Sequence, residues 1–382
     1  MSRVASMKPS GARQKSGYLP TLDGWRAIAI LSVVFYHDSL HSLGPVSTGW
    51  LYKNGYCGVD LFFAISGLLI CWRLLEEEQV FGGISLRKFY IRRAFRILPP
   101  AFACLGGIAL LTLAGVFHVT LRQLLGAAFF FRNYTFLLGA MGADKYFTEH
   151  FWSLAVEEHF YLILPGLLVL TRRRWRLQVL LGLCLILEIH RAHVLESRPW
   201  AHNLFHSDMR LDALLVPATL AVLAQSAAIR QKLKQWLQVW PLLLILVLIV
   251  VSNGEGKFWG ETLVVLLMPL TVLGSLLNPG GLLARPLEWA PMRYVGRLSY
   301  SLYLWQQLFF TGHFYHSYPL GILQSTLLRF IAAPACAIAS YHLLERPLIK
   351  LGHKLAPPAT PGREDLGASA PGNAQEAMPD AG

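Results

Sequence analysis

Charge is scarce in this chain of 382 residues: Asp, Glu, Lys and Arg make up 15% of the sequence, whereas hydrophobic residues make up 54%. No polar stretch of soluble-domain length interrupts the apolar runs, which recur at about the length of a bilayer crossing. The composition therefore excludes an ordinary soluble domain and predicts one integral-membrane domain with the lipid bilayer as its surroundings.

Acidic residues are fewer than basic ones, 22 against 34, which leaves a net charge of +12. Such a charge can indicate a nucleic-acid partner, but here the Lys and Arg residues cluster between the apolar runs. The positive-inside rule explains that placement, because basic loops stay in the cytoplasm. A nucleic-acid partner is therefore not expected.

Cysteine is also sparse, and the five cysteines lie in or beside apolar runs without Cys-x-x-Cys spacing. They predict neither a disulfide framework nor a zinc site. The paired spacings at His190 and His193 and at His202 and His206 lie in a polar loop without cysteine, so no metal is expected there. The sequence has no Gly-rich phosphate-binding loop, and no permanently bound cofactor is expected.

Three segments follow from the composition. Residues 1–17 are basic and lack the apolar core of a cleavable signal peptide, so we expect a cytoplasmic N-terminal segment. Residues 18–353 form the predicted membrane domain. Residues 354–382 are rich in Pro, Ala and Gly without periodicity, which is typical of a disordered tail, here on the cytoplasmic side.

The basic loops predict the topology. All of them fall on one side of the membrane if the apolar stretch 121–138, which contains Arg132 and Asn133, is re-entrant or interfacial and does not cross. The predicted fold class is therefore all-α, a polytopic membrane helical bundle of about ten transmembrane helices with both termini in the cytoplasm. The predicted spans lie near residues 21–41, 58–75, 97–117, 150–170, 177–189, from 209 onward, 240–251, 261–277, 298–312 and 321–344.

The first span carries ionisable groups, of which Arg26 and His37 are the most informative. They lie eleven residues apart, so at 100° per residue they share one helix face, about 16 Å apart along the axis. Ionisable groups inside a bilayer are costly unless they face a protein interior, so a functional site is the default hypothesis. In the alternative interpretation, Arg26 snorkels to the headgroups and His37 is a packing histidine.

Two further polar pairs fall within apolar segments: Glu157 with Glu158, and Arg210 with Asp212. Both pairs are predicted at the outer ends of their helices and so at about the depth of His37. A histidine and carboxylates at one depth can meet across a bundle core. The alternative is that they are interfacial polar residues beside an aromatic belt.

Seven sequence pieces, in this order, carry a family resemblance: YLPTLDGWRAIAILSVVFYH, GVDLFFAISGLLI, FYIRRAFRILP, FWSLAVEEHFYLILP, RLDALL, VGRLSYSLYLW and YHLLERPL. The chain resembles the acyltransferase 3 family of bacterial membrane O-acyltransferases over about residues 18–350. The resemblance implies a bacterial inner-membrane enzyme that transfers an acyl group, often acetyl, from cytoplasmic acyl-CoA to a hydroxyl of a glycan, lipid-linked sugar or secondary metabolite. Gln306 stands where many relatives carry His, and Pro217 where Gly is usual.

Acyl transfer to a hydroxyl needs a base, and His37 is the best candidate because its ordinary pKa lies closest to working pH. By the resemblance, Glu157 is the second catalytic candidate, which would hold the tautomer of the imidazole and stabilise its cation. Glu158 points about 100° away from Glu157 and Asp38 faces elsewhere than His37, so both are weaker candidates.

The donor is anionic, and Arg93 and Arg96 are spaced to share a face at the cytoplasmic end of the third span. Without the resemblance, ordinary positive-inside charge is the better explanation of these arginines, and the resemblance shifts the preference to a donor site. Arg26 would then line the donor path toward His37, while Trp152, Arg210 and Asp212 are candidates for acceptor contacts or for structural roles. The competing function is a transporter or flippase for a lipid-linked sugar, since polar residues in membrane helices also line transport paths.

Overall fold

The structure is a computed structural model that describes residues 19–38, 42–43, 46–47, 49–135, 145–197, 205–254, 258–279, 284–311, 319–325 and 327–358. The predicted N-terminal segment 1–17, residues 136–138 of the predicted re-entrant stretch and the tail from residue 359 lie outside the described residues. Predictions about those segments stay predictions.

The described residues are almost entirely helical. The first half contains α1 Pro20–His37, α2 Gly49–Asn54, α3 Cys57–Phe81, α4 Leu86–Leu113, α5 Leu121–Ala128, α6 Arg132–Thr135, α7 Tyr146–Glu149, α8 Phe151–Leu170 and α9 Arg176–Ser197. The second half contains α10 Ser207–Arg210, α11 Asp212–Leu223, α12 Ala227–Trp236, α13 Trp240–Gly254, α14 Phe258–Leu277, α15 Ala284–Leu287, α16 Ala290–Phe309, α17 Arg329–Ser340 and α18 Arg346–Leu355.

Short elements complete the described fold. Two antiparallel strands of two residues, β1 Ser42–Leu43 and β2 Val46–Ser47, pair with Ser42 opposite Ser47. A five-residue π-helix, Tyr341–Glu345, joins α17 to α18. Short 3₁₀ helices lie at Arg173–Trp175, Leu237–Val239 and Gly321–Gln324.

Six helical stretches of the described chain are long and apolar enough to cross a bilayer, which supports a multi-pass membrane protein. They are Cys57–Phe81, Leu86–Leu113, Tyr146–Leu170, Arg173–Ser197, Ala227–Gly254 and Phe258–Leu277. The described residues of the other four predicted spans do not reach that length and hydropathy, so the count of ten stays a prediction. Helix α11 is apolar but has only 12 residues.

One predicted segment differs in the structure. The stretch 76–96, predicted as a basic loop, is helical except for a short turn in which Gly82 adopts a φ of 75°. Its Arg, Lys and Glu residues are good helix formers, so the helices continue beyond the apolar runs.

The described part of stretch 121–138 consists mainly of α5 and α6, with eight and four residues. Each of these helices is too short to cross alone.

Helix α1 lies at the centre of the fold because glycines let its neighbours approach its backbone. A Cβ at Gly296 of α16 would lie 1.8 Å from the carbonyl oxygen of Asp23, and a Cβ at Gly58 of α3 would lie 2.4 Å from that of Ala29. Only residues without a Cβ permit such approaches. Helix α1, which carries His37 at its C-terminal end, is thereby held beside α16 and α3.

Candidate active site

Three adjoining cavities pass through the bundle. The histidine cavity is the largest, with a volume of about 600 Å³, and it contains His37 and His150. The glutamate cavity, about 100 Å³, contains Glu157 and Glu158, and the arginine pocket, about 140 Å³, contains Arg73, Arg92, Arg93, Arg96 and His353. Arg93 and Arg96 line both the arginine pocket and the glutamate cavity, while Val59 and Tyr303 line both the glutamate and histidine cavities.

His37 is the last residue of α1 and makes hydrogen bonds through both ring nitrogens. Its Nδ1 atom lies 2.8 Å from the carbonyl oxygen of Val33, one turn earlier, and its Nε2 atom lies 3.2 Å from the side-chain nitrogen of Gln307 on α16. A carbonyl oxygen can only accept, so Nδ1 carries the proton and Nε2 carries the lone pair. His37 therefore presents an unprotonated Nε2, the form that a general base requires.

Gln307 connects His37 to a second histidine. The Oε1 atom of Gln307 lies 2.5 Å from Nδ1 of His150 and 3.3 Å from its backbone nitrogen. Both Gln307 and His150 are buried, and Tyr303 donates to the backbone oxygen of His150 over 3.1 Å. The three side chains His37, Gln307 and His150 form one hydrogen-bonded row along the wall of the histidine cavity.

The predicted contact between Glu157 and His37 is wrong. Glu157 lies in the glutamate cavity, where it accepts hydrogen bonds from Ser66 at 2.8 Å and from Tyr161 at 3.5 Å. Helix α8 begins just after His150, so Glu157 lies seven residues, or about 10 Å, further along the helix axis. The residue of this segment at the depth of His37 is His150, and the tautomer of His37 is set by Val33.

The glutamate cavity also contains the arginines that were predicted to hold the donor. Arg26, Arg93 and Arg96 all line it together with both Glu157 and Glu158. Arg26 bonds to Asp23 at 3.0 Å, and the guanidinium of Arg93 lies 5.2 Å from the ring centre of Tyr161. The structure thus places the three arginines in one cavity with the two carboxylates, whereas His37 lines a different cavity.

Of the three candidates for acceptor contacts, Arg210 and Trp152 line the histidine cavity and Asp212 does not. Arg210 lines the histidine cavity, where it pairs with Asp60 and lies 3.9 Å from Glu261. Trp152 lines the same cavity and stacks on Phe205, with ring centres 4.3 Å apart.

Asp212 is buried behind this wall and bonds to Arg191 at 2.7 Å. Asp212 is therefore a structural residue that fastens α11 to α9. Asp38 follows His37 directly and forms a buried ion pair with Arg329 of α17. It stabilises the end of α1 without entering the cavity.

The sequence reasoning missed His150, Gln307, Asp60 and Tyr303. His150 stands immediately before the piece FWSLAVEEHFYLILP, and Gln307 stands two residues after the piece VGRLSYSLYLW, so extending these motifs by one and two residues would have included them. Asp60 lies inside the piece GVDLFF but was not singled out as a charge. Tyr303 gave no signal, because one tyrosine in an apolar helix is usually a packing residue.

The two departures from the family pattern lie in the protein interior. Gln306 is fully buried, and neither atom of its amide finds a hydrogen-bond partner among the described residues. Pro217 lies inside α11, against α3 at Gly67. Among the described residues, no group of three or more His, Cys, Asp or Glu side chains is placed to hold a metal ion.

Comparison with known proteins adds the family. A family model described as an acyltransferase domain matches residues 19–343. The O-acetyltransferase OatA of Staphylococcus aureus (strain NCTC 8325 / PS 47) is 27% identical over 366 residues, covering 88% of this chain and 58% of OatA. SACOL0978 of S. aureus (strain COL) is 29% identical over 370 residues, covering 89% of this chain and 59% of that protein.

The chain thus spans less than two thirds of the length of these curated relatives. No solved structure matches it. The family model covers the segment from α1, which carries Arg26 and His37, to the π-helix after α17, and it includes every residue named in the three cavities except His353. The chain belongs to the acyltransferase 3 family.

Proposed function

We propose that the protein is an integral-membrane O-acyltransferase that transfers an acyl group, such as acetyl, from acyl-CoA to a hydroxyl of a saccharide or related acceptor. The observation that carries this proposal is the row of three adjoining cavities. Arginines line one end of the row, and an unprotonated imidazole nitrogen lies in the cavity at the other end. A long anionic thioester and a hydroxyl compound need such an arrangement, because they approach one reaction centre from two sides.

The arginine pocket is the proposed site for the phosphates of the donor. Arg93 and Arg96 have planar guanidinium groups that suit bidentate phosphate contacts. The other side of the pocket is built by α18, which contributes His353. The backbone oxygen of Ala356 accepts a hydrogen bond from Arg92 at 3.4 Å and fastens the end of α18 to α4. The pantetheine arm would extend from this pocket through the glutamate cavity toward Tyr303.

Glu157 is proposed to shape this path and not to act on His37. Its carboxylate lies among Arg26, Arg93 and Arg96 and accepts from Ser66. A negative charge there offsets three nearby positive charges that would otherwise repel one another. Glu157 therefore stabilises the channel while the donor is absent.

The reaction needs one base. Nε2 of His37 takes the proton of the acceptor hydroxyl, the hydroxyl oxygen bonds to the acyl carbon, and the carbon–sulfur bond breaks. The proton then passes to the departing sulfur, which leaves an ester and a free thiol. The fixed tautomer of His37 supplies the lone pair without a prior proton shift.

The charges of the histidine cavity favour an uncharged acceptor. Its lining contains the carboxylates of Asp60, Glu149 and Glu261 and the cations of Lys145 and Arg210. Arg210 is engaged by Asp60 and Glu261, so its charge is already balanced. A phosphate or uronate would meet an excess of negative charge, whereas sugar hydroxyls can bond to carboxylates and stack on Trp152.

The proposed topology has ten crossings in the bacterial inner membrane, with both termini in the cytoplasm. The basic N-terminal turns of α4, which carry the arginine pocket, would face the cytoplasm, where acyl-CoA is found. The separation of eleven positions between Arg26 and His37 would then bring the histidine cavity into the outer half of the bilayer.

A labelled donor tests the proposal. The full chain in detergent is incubated with acetyl-CoA labelled in the acetyl group, with and without a neutral saccharide fraction extracted from cell envelopes. We expect label to move to the saccharide in the presence of the protein. If no thioester is consumed while label-free saccharide binds or crosses reconstituted vesicles, the transporter interpretation replaces the enzyme.

A further inference from the structure

We propose that Gln307 is a positioning residue that covers Nε2 of His37 until an acceptor hydroxyl displaces it, and so prevents water from hydrolysing the donor thioester. This inference rests on the proposed function, since it assumes that His37 is the base. It adds a specificity role for a residue that lies in the wall of the histidine cavity. The role is to favour transfer over hydrolysis.

Two backbone groups, one at each end of the row, determine the direction of every hydrogen bond in it. At one end the backbone N–H of His150 can only donate, so the atom of Gln307 that faces it is the acceptor Oε1. The NH₂ group of Gln307 therefore faces His37 and donates to its Nε2. At the other end, the carbonyl of Val33 can only accept, so Nδ1 of His37 is the protonated nitrogen.

The amide of Gln307 is held in this orientation. Its side chain is buried, and Oε1 receives two hydrogen bonds from His150, one from the ring and one from the backbone. Rotating the amide by 180° would set its NH₂ group against the backbone N–H of His150, which leaves a buried donor unpaired. Gln307 therefore presents N–H to His37 whenever the cavity holds no competing hydroxyl.

The contact to His37 is the one in the row that a substrate can replace. It is a single hydrogen bond, with 3.2 Å between the two nitrogens, whereas Oε1 of Gln307 receives two hydrogen bonds from His150. A neutral hydrogen bond of this kind contributes little net stability in competition with another donor. An acceptor that is also bound by the cavity walls can displace it, but a single water molecule has no such additional contacts.

The side reaction that this contact suppresses is hydrolysis. A cavity of about 600 Å³ has room for water beside the donor thioester. If Nε2 of His37 takes a proton from that water, the water oxygen bonds to the acyl carbon and the carbon–sulfur bond breaks. The proton ends on the sulfur, so the donor is lost as free acid and free thiol without an acylated product.

Two substitutions of Gln307 should act in opposite directions. Leucine has a similar size but no donor, so Gln307→Leu exposes Nε2 and should raise acceptor-free hydrolysis of acetyl-CoA about fivefold. Glutamate can only accept, so Gln307→Glu should hold a second proton on His37 and lower both hydrolysis and transfer. Gln306→Leu is the matched control, because Gln306 is buried beside Gln307 but has no partner among the described residues.

The measurement is thiol release from acetyl-CoA by the full chain in detergent without acceptor, with acetyl-CoA affinity measured in parallel as a check on folding. We expect fast release by Gln307→Leu, slow release by Gln307→Glu and the wild-type rate for Gln306→Leu. A Gln307→Leu protein that binds acetyl-CoA but hydrolyses it no faster than wild type overturns this inference.

The double variant His37→Ala with Gln307→Leu separates this inference from the proposed function. We expect the double variant to lose the fast release, because the base is gone. Fast release that persists without His37 overturns the assignment of His37 as the base, and with it the proposed mechanism.

Discussion

The Nε2 atom of His37 lies 3.2 Å from the amide nitrogen of Gln307, whereas the carboxylate of Glu157 bonds to Ser66 in a different cavity. The base candidate and the carboxylate therefore lie in different cavities, and each belongs to a different part of the proposed reaction. His37 lies in the histidine cavity, the proposed acceptor side, and Glu157 lies in one cavity with three arginines, on the proposed donor side.

We expect two arginines of the arginine pocket to contribute to the affinity for acyl-CoA. Arg93→Gln and Arg96→Gln should each weaken acyl-CoA binding by about 1.5 to 3 kcal/mol, the usual contribution of a charge-assisted hydrogen bond. The check is a titration of acetyl-CoA against purified protein. Arg172→Gln serves as the control, since it removes the same charge from an exposed position after α8. Unchanged acetyl-CoA affinity in both pocket variants would leave the positive-inside rule as the explanation of these arginines.

We expect Trp152, an aromatic residue that lines the histidine cavity, to contribute to acceptor binding. Trp152→Ala removes the ring that stacks on Phe205 and should raise the acceptor KM about fivefold while acetyl-CoA affinity stays unchanged. The acceptor in this assay is the neutral saccharide fraction that accepts label in the wild-type reaction. Trp175→Ala, at an exposed position, is the control. An equal loss of donor affinity in Trp152→Ala would contradict an acceptor role.

Because α1 and α16 are in close contact at Gly296, we expect a larger side chain at this position to destabilise the protein. Gly296→Ala places a methyl group against the carbonyl oxygen of Asp23, which would lie 1.8 Å away, so the helices must separate. We expect a loss of about 1 to 3 kcal/mol in stability and slower transfer, because His37 moves away from Gln307. Gly106→Ala, with no atom within 4 Å of the added carbon, should leave the unfolding temperature in detergent unchanged or higher. Equal behaviour of the two variants would refute the packing argument.

The buried pair of Asp38 and Arg329 predicts asymmetric effects on stability. Asp38→Asn leaves the charge of Arg329 buried without its carboxylate and should lower the free energy of unfolding by about 3 to 5 kcal/mol. Replacing both residues, with Asp38→Leu and Arg329→Met, removes the charge and should destabilise less. Unfolding in one detergent compares the variants. A double variant less stable than Asp38→Asn would show that the two residues do not act as a pair.

Much of the fold was predictable because it rests on local signals. Apolar length and basic flanks indicated a multi-pass helical protein, and the helix from residue 151 to residue 170 matches its predicted span within one residue. The predicted spans follow the apolar runs and leave the basic stretch before residue 97 in a loop, whereas in the structure it is mainly helical. Long charged side chains continue a helix beyond the apolar core, and periodicity in hydrophobicity does not detect this extension.

For the site, the sequence predicted relations between residues of the same helix but not contacts between residues of different helices. The common face of Arg26 and His37 follows from the helical period, and both residues line cavities of the same row. The partner of His37 depends on how deep each helix sits relative to its neighbours, which one sequence does not specify. The carboxylate of Glu157 was therefore assigned to His37, although Gln307, from a helix 270 residues later in the chain, holds that place.

The most direct test of the account compares His37→Ala with Arg26→Ala in the same detergent, with acetyl-CoA binding measured beside turnover. Although the two residues share a helix face, they should fail differently. His37→Ala should bind acetyl-CoA as wild type does and lose transfer by about 10²- to 10⁴-fold, the usual contribution of a general base. Arg26→Ala should lose donor affinity as well as rate. If His37→Ala abolishes acetyl-CoA binding as completely as Arg26→Ala does, His37 belongs to the donor site or to the fold, and its assignment as the base is contradicted.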